Sequence, residues 1–326
     1  MRVLVTGGAG YVGSVVVDEL LKSGHEVTVY DNLSKGHLQA VSPGAEMVLG
    51  DLSDEILLAQ ALRAHGVEAV IHMAASSIVG ESVSNPAQCF QNNVVNGLRL
   101  LDVMLRAGIR KLVFSSTAAV YAAGRSEPLK ETDPLGPNNP YGESKLIFEN
   151  ILKWYDVAYG LRYVSLRYFN AAGATETLGE DHRPETHLIP LVLQTALQKR
   201  PVVEIFGTDY DTPDGTCIRD YIHVSDLARA HVLALEYLRE GPSRVYNLGN
   251  GKGFSVRQVI RAARTITGDS IPALISARRP GDPPVLIASS ELIRKDLGWQ
   301  PRIDSLHEII RSAWHWQRQH PDGYAE

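Results

Sequence analysis

The first half of the chain carries two hydrophobic rhythms in alternation. Short apolar runs without polar alternation fall at Arg2–Val5, Glu26–Tyr30, Met47–Leu49, Ala69–Met73, Lys111–Ser115 and Tyr163–Arg167, and each reads as a buried strand. Between them apolar positions recur at helical spacing. Tyr11–Ser23, with Val12, Val16 and Leu20 four apart, predicts one helix; Pro86–Ala107, with Val94, Leu98, Leu101 and Leu105 on one face, predicts another. Buried strands joined by helices predict an α/β fold built on a doubly wound parallel sheet.

After Asn170 the rhythm changes. Gly, Pro and Thr become frequent through Gly173–Pro213 and no period holds. Helical patterns return at Asp226–Leu238, Val256–Thr267 and Ser305–Trp316, separated by Pro-rich loops such as Arg278–Pro284. The expected division is a nucleotide-binding domain over 1–170 and a smaller substrate-binding lobe mainly over 171–326, with the chain free to cross between them. No repeat or linker-like stretch separates the two, so close packing is expected.

Composition narrows the function classes. With 44% hydrophobic and 21% charged residues in 326, the chain can bury a full core, which excludes disorder. A net charge of −5 leaves no basic footprint for nucleic acid or an acidic membrane surface. Cys89 and Cys217 are the only cysteines and form no C-x-x-C, so neither a disulfide framework nor a zinc site is expected, and no metal is called. The apolar run after Met1 is too short for a signal-peptide core, and no run is long enough to span a bilayer. A soluble, cytoplasmic protein is expected.

Candidate chemistry begins at Val5-Thr6-Gly7-Gly8-Ala9-Gly10-Tyr11-Val12-Gly13, between the first strand and the first helix. Gly7 permits a tight turn, Gly10 close backbone approach to a pyrophosphate, and Gly13 close helix–strand packing. The helix N-terminus offers N–H groups and a positive dipole end to the diphosphate. Asp31, ending the second strand about 20 residues on, is placed to accept from ribose hydroxyls and repel a 2′-phosphate, favouring NAD over NADP, although Lys35 blunts that preference. Asp51 after the third strand is either an adenine-side acid or a helix N-terminal residue.

The catalytic pair is Tyr141 and Lys145, four apart at a helix start and so on one face. A free tyrosine, with a pKa of about 10, is a poor base at neutral pH; a neighbouring ammonium stabilises its phenolate. Thr117 ends the fifth strand, at the carboxyl edge where doubly wound sheets bind ligands, and can relay a hydrogen bond between a substrate alcohol and Tyr141. His72 and Met73 read as core residues.

These motifs, in this order, resemble the extended short-chain dehydrogenase/reductase superfamily and, within it, the UDP-glucose 4-epimerases. The likeness runs along nearly the whole chain: Asp31-Asn32-Leu33, Gly80-Glu81-Ser82, Asn92-Asn93-Val94, Ser115-Ser116-Thr117, Tyr141 to Lys145, Leu166-Arg167-Tyr168-Phe169-Asn170, Phe206-Gly207, Asp214-Gly215-Thr216, Arg219 to Val224, Tyr246-Asn247-Leu248-Gly249 and Trp314-His315-Trp316. The resemblance implies a Rossmann-type sheet, retained NAD and transient oxidation of the sugar at C4. Tyr141 would act as base, Thr117 would orient the hydroxyl, and the 4-keto sugar would turn over before hydride returns to its other face.

By the same likeness Tyr11, Val12, Asp31, Asn32, Asp51, Leu52, Met73, Ala74, Asn92, Thr117, Tyr141, Lys145 and Phe169 would border the cofactor. Thr117, Tyr141, Asn170, His187, Phe206, Arg219, Arg279 and Asp282 would hold UDP-glucose or UDP-galactose; a guanidinium forks onto diphosphate oxygens. His187 stands where some members carry a substrate-binding asparagine, and a loop histidine without a ligand is the alternative. Leu286 aligns with a gate whose size decides whether N-acetyl groups enter; leucine is intermediate and leaves that open. The family implies a homodimer packed through Pro86–Ala107 and Tyr141–Tyr159.

Three other readings are weighed. One is a nucleotide-sugar 4,6-dehydratase or decarboxylase of the same fold; dehydration needs an extra acid–base pair, and in the dehydratases acids typically follow the strand-end threonine, where this chain has Ala118-Ala119. Another UDP-sugar 4-epimerase, acting on an N-acetylhexosamine, glucuronate or xylose, stays open. A non-catalytic NAD-sensing module would tend to lose the Tyr–Lys pair, which is present.

Overall fold

The computed structural model describes residues 1–122, 128–279 and 281–324. The chain runs β1 (Arg2–Thr6), α1 (Tyr11–Lys22), β2 (Glu26–Asp31), β3 (Glu46–Leu49), α2 (Glu55–Ala64), β4 (Ala69–His72), α3 (Val79–Ser84), α4 (Pro86–Phe90), α5 (Asn96–Arg106), β5 (Lys111–Thr117), α6 (Pro140–Tyr159) and β6 (Arg162–Tyr168). It continues with β7 (Asn170–Ala172), α7 (Leu188–Ala196), β8 (Val203–Phe206), β9 (Ile218–His223), α8 (Val224–Tyr237), β10 (Arg244–Leu248), β11 (Gly253–Ser255), α9 (Val256–Thr267), β12 (Ala273–Ser276), β13 (Val285–Leu286), α10 (Glu291–Leu297) and α11 (Leu306–Gln319).

The fold is the expected α/β one: seven parallel strands in the order β10-β6-β5-β4-β1-β2-β3, with helices on both faces. All six strands expected in the first half are present, with ends that differ by one or two residues. Their apolar runs explain the layering. Val3 and Val5 face one core, against Val16 and Leu20 of α1 and Leu227 and Leu235 of α8. Leu4, Val70 and Phe114 face the other, against Leu58 of α2, Leu100 and Met104 of α5, and Phe148 and Leu152 of α6. Strands buried on both faces need no polar alternation.

The lobe after β6 has its own apolar cluster, with Val192 and Leu193 of α7, Val259 of α9, and Ile309 and Ile310 of α11. Its sheet centres on β9, which pairs in parallel with β7 and β13 and antiparallel with β11. A second, two-stranded sheet joins β8 and β12.

Three features depart from the expectation, and a fourth, the crossing of the chain between its two parts, falls within it. The helix expected across Pro86–Ala107 is interrupted by a π-helical turn at Gln91–Val95. That wider turn rotates the face presented to the core: Asn93, Asn96, Gly97, Leu100, Leu101, Val103 and Met104 are buried, whereas Val94, Leu98 and Leu105 lie half-buried on the flank. The irregular stretch Gly173–Pro213 contains α7, too short and too apolar to show a period, and β8, only four residues long. The seventh strand of the large sheet, β10, comes from beyond Asn170, and α8 packs on α1, so the second half of the chain completes the first. Asp51 does not cap α2; Asp54 does, accepting from Leu57 N at 3.0 Å.

On β6, one strand in from the sheet edge, Arg167 forks onto Glu149 of α6, Nε to Oε1 at 2.9 Å and Nη2 to Oε2 at 2.5 Å, with both side chains at most 3% exposed. Ser116 Oγ donates to the same carboxylate at 2.6 Å. Arg167 Nη1 donates to Tyr121 Oη at 3.0 Å, and Tyr121 donates to Asn247 of β10 at 2.6 Å. This polar chain ties α6, which carries Tyr141 and Lys145, to the strands beneath it.

Candidate active site

Strand order reverses between β1 and β4, since the chain winds outward through β2 and β3 and then resumes at β4 on the other side of β1. The crevice at the carboxyl ends of these strands is where such sheets take ligands. The glycine turn fills it. Gly7 has φ +73°, and a Cβ there would lie 2.6 Å from Ala74 N; a Cβ on Gly13 would collide with the Gly7 carbonyl oxygen. Both glycines are therefore required by packing. A Cβ on Gly10 would meet only Gly7 O, at 3.4 Å, so that position opens outward.

Gly10 caps α1 without a side-chain acceptor, and no acidic residue occupies the first turn, so the amide groups of Tyr11, Val12 and Gly13 face an uncapped, positive helix end. The Tyr11 hydroxyl donates to Gly173 O at 2.6 Å, linking this turn to the second lobe. Asp31 ends β2, with its carboxylate accepting from Ala9 N at 3.0 Å and Leu33 N at 2.8 Å. Burial raises its pKa, with the backbone N–H groups opposing. Leu33, with φ +57°, adopts the left-handed conformation that side chains rarely take, a strain often found beside ligand sites.

Asn32 Nδ2 donates to Asp51 at 2.7 Å; hydrogen bonds from Ser53, foremost, hold the Asp51 carboxyl below its ordinary range. Lys35 turns to Glu81 at 3.3 Å. Leu52 is buried, Met73 N donates to Thr6 O at 3.0 Å, and Ala74 follows at the mouth of β4. These groups fit a dinucleotide: an uncapped amide end for the diphosphate, glycines that keep side chains out, and an acid at ribose distance from the turn.

The Tyr–Lys pair is built by a strong helix start. Asn139 caps α6, accepting from Gly142 N at 2.9 Å; Pro140 takes the first helical position and Glu143 lies in the first turn. Gly142 is needed because a Cβ would strike the Ala119 carbonyl of the turn after β5. Tyr141 and Lys145 thus come to lie beside Thr117, with Lys145 Nζ 6.0 Å from the Tyr141 ring centroid. The ammonium donates to Ser115 O at 2.8 Å and sits 4.8 Å from the centre of the Phe114 ring.

Burial pushes the Tyr141 phenol up to about 12, against a hydrogen bond with Thr117 that lowers it. Burial likewise brings Lys145 down to about 7, against the charges of Cys89 and Glu149. The protein part of the cleft therefore favours neutral partners, and a positive charge beside Tyr141 is required to make the phenolate accessible.

Sequence reasoning missed the residues that fix this pair. Asn93, placed by the π turn, donates to Ser144 Oγ at 2.9 Å and accepts from Ser76 N at 2.8 Å; Ser144 Oγ donates to Tyr141 O at 2.7 Å. Asn92 Nδ2 donates to Ser76 Oγ at 3.1 Å, so both asparagines face the β4 end. Tyr168 Oη donates to Ser115 Oγ at 2.7 Å, below Lys145. Polar residues buried at helical positions were the available signal, but only a structure shows which side chain they meet. His72 lies in the core as read: its Nδ1 meets Thr6 Oγ1 at 2.8 Å, and burial brings its pKa down to about 3.

Four of the residues singled out for the sugar nucleotide, Phe206, Arg219, Arg279 and Asp282, form a second group, which no hydrogen bond or ion pair among the described residues joins to Asn170 or His187. Arg219 on β9 reaches Asp282 at 3.4 Å, Arg279 reaches the other oxygen of Asp282 at 3.3 Å, and the Arg279 guanidinium lies 4.5 Å from the centroid of Phe206. Asn170 heads β7, paired with Tyr221, and Phe169 is buried in a small apolar cluster against which Leu286 packs. His187, at the start of α7, is committed through Nδ1 to Glu180 and Glu185, each at 2.8 Å. Burial works against the charged ring, but the two carboxylates hold its pKa up at about 10.

Comparison with known proteins accords with this architecture. Residues 3–249 match the model of the NAD dependent epimerase/dehydratase family. A UDP-glucose 4-epimerase of Halalkalibacterium halodurans is 54% identical over 100% of this chain and 98% of its own. A crystal structure of a UDP-glucose 4-epimerase superposes with TM-score 0.97 at 49% identity, covering 100% of both chains. One from Brucella ovis in complex with NAD gives TM-score 0.93 at 48% identity, covering 97% of this chain and 98% of the other. With a strand–turn–helix glycine motif, a Tyr–Lys pair beside a strand-end threonine, and whole-length likeness, the chain belongs to the NAD dependent epimerase/dehydratase family, among its UDP-glucose 4-epimerases.

Proposed function

We propose that the protein interconverts UDP-galactose and UDP-glucose by inverting C4 of the hexose. The observation that carries this reading is the meeting of Thr117, Tyr141 and Lys145 at the carboxyl end of β5, on the same edge of the sheet as the glycine turn after β1 and separated from it by β4. NAD, when bound, supplies a reversible two-electron oxidant and a positive ring beside the phenol. Tyr141 takes the proton of the 4-hydroxyl and later returns it; Thr117 fixes the hydroxyl's direction; Lys145, anchored on Ser115, lowers the phenol's pKa in its charged form, which the burial of its own site opposes. Gly7, Gly10 and Gly13 shape the diphosphate cradle, and Asp31 takes the adenosine ribose.

The nucleotide end of the sugar falls to the second group. Arg219 and Arg279 would fork onto the UDP diphosphate, and Asp282, now their mutual counter-ion, would orient them. The His187 Nε2, free of the two carboxylates that hold Nδ1, is a further donor. Phe169 would border the cofactor, and Asn170 and Phe206 the sugar nucleotide. In this reading 1–170 chiefly bind the dinucleotide and 171–326 chiefly the sugar nucleotide. No carboxylate follows Thr117, which speaks against dehydration.

Incubation of purified protein with UDP-galactose and no added NAD should yield UDP-glucose by NMR, with no net absorbance from reduced cofactor. Stoichiometric reduction of NAD would replace the epimerase reading with a net dehydrogenase. UDP-N-acetylgalactosamine and UDP-glucuronate, run in parallel, measure what Leu286 admits. In the same assay Arg219→Leu should raise KM by roughly 10–100-fold, the cost of a lost charged hydrogen bond of about 1.5–3 kcal/mol.

We also propose a homodimer. Val79, Val83, Val95, Trp154, Val157 and Tyr159 are exposed on α3, the turn before α5, and α6, and Trp154 is 72% exposed. Apolar side chains concentrated on adjoining helices mark an interface. Sedimentation should give twice the chain mass, and Trp154→Glu should shift it towards the monomer; a wild-type monomer at working concentration would remove the proposal. No helix among the described residues is long and apolar enough to cross a membrane.

A further inference from the structure

We infer that the loop between β7 and α7 binds one divalent transition metal, zinc foremost, through Glu180, His182, Glu185 and His187. One donor atom from each of these four residues lies within 4.8 Å of the others. A tetrahedral ion with ligands at about 2.0–2.1 Å has donor–donor edges of roughly 3.3 Å. Three edges are already near that: Glu180 Oε1 is 2.8 Å from His187 Nδ1 and 3.1 Å from His182 Nδ1, and Glu185 Oε1 is 2.8 Å from His187 Nδ1. The remaining edges are at most 4.8 Å and have to shorten for the ion to bind.

The donor set selects the ion. Two imidazoles and two carboxylates suit zinc and its neighbours, whereas magnesium and calcium call for six or more oxygens. The expectation of no zinc rested on cysteine, which an imidazole–carboxylate site does not use. The Glu180 and Glu185 side chains are only 8% and 6% exposed, so two carboxylates are held out of water around one point, with the His187 ring between them as the present counter-charge. Glu185 Oε1 is also fixed by N–H groups of Thr186 and His187, at 2.7 Å each, which orients the carboxylate before any ion arrives. The ion would take the place of the proton on His187 Nδ1, and that proton passes to solvent.

The position gives the site a task. His182 meets the Tyr11 ring edge-on, with centroids 6.2 Å apart, and Tyr11 is the first residue of α1. A bound ion would lock the loop of the second lobe against the dinucleotide turn. The spacing Glu-x-His-x-x-Glu-x-His packs all four ligands into one short segment.

The test uses untagged protein carrying its own NAD, stripped with EDTA, desalted and titrated with zinc chloride. Mass spectrometry of metal content should count one zinc per chain, with calorimetry giving micromolar or tighter affinity. Glu180→Gln and His182→Ala should each weaken it by at least 10-fold while far-UV circular dichroism stays native. X-ray absorption of the wild type needs no variant and should show two imidazoles and two oxygens. Failure to retain zinc, or a zinc shell without imidazole, overturns the site.

Discussion

Exchanging Tyr141 for phenylalanine is expected to lower kcat by about 10²–10⁴-fold, the usual contribution of a placed general base, while bound NAD and the KM for UDP-galactose change little. The ring keeps its packing and loses one oxygen, the atom that hydrogen-bonds Thr117. Because burial holds the phenol up at about 12, that oxygen is an effective base only when a positive charge faces it. Activity of the native protein should accordingly rise with pH until the phenolate form is populated, and the variant should lose that rise. Steady-state rates across pH, with NAD content measured on each preparation, check both points; a variant with wild-type kcat would remove Tyr141 from the mechanism.

The second large effect is on stability. Glu149→Ala would leave the Arg167 guanidinium, 3% exposed, without its forked carboxylate partner. Breaking a buried pair from one side costs about 3–5 kcal/mol, so the urea midpoint should fall sharply with an unchanged slope. The Ser116 hydroxyl loses its acceptor at the same time. Joining Glu149→Leu to Arg167→Met should recover much of the loss, because an apolar pair of similar volume carries no stranded charge. An unchanged midpoint in the single variant would mean that water reaches Arg167.

The large sheet was legible because its strands are short, mostly apolar runs, and the glycine turn because packing itself demands glycine at residues 7 and 13. Tyr141 and Lys145 could be read as a pair because helical spacing alone puts them on one face. What stayed hidden depends on contacts between distant segments. The π turn at Gln91–Val95 leaves no periodic trace, yet it decides that Asn93 rather than Leu98 faces the core and steadies Ser144. The fate of His187 turned on Glu180 and Glu185, ordinary surface letters in the sequence that become buried carboxylates only when the loop closes. The group around Asp282 came from likeness; its convergence brings residues of β8, β9 and the loop before β13 together.

The return of β10 to the edge of the large sheet makes the two halves of this polypeptide one cooperative body. A fragment ending near Asn170 would present β6 with a bare row of amide and carbonyl groups and strip α1 of the helix that covers it. Such a piece invites self-association instead of dinucleotide binding. During synthesis the nucleotide half must therefore wait for the ribosome to deliver Arg244–Leu248 before its outermost ladder can close.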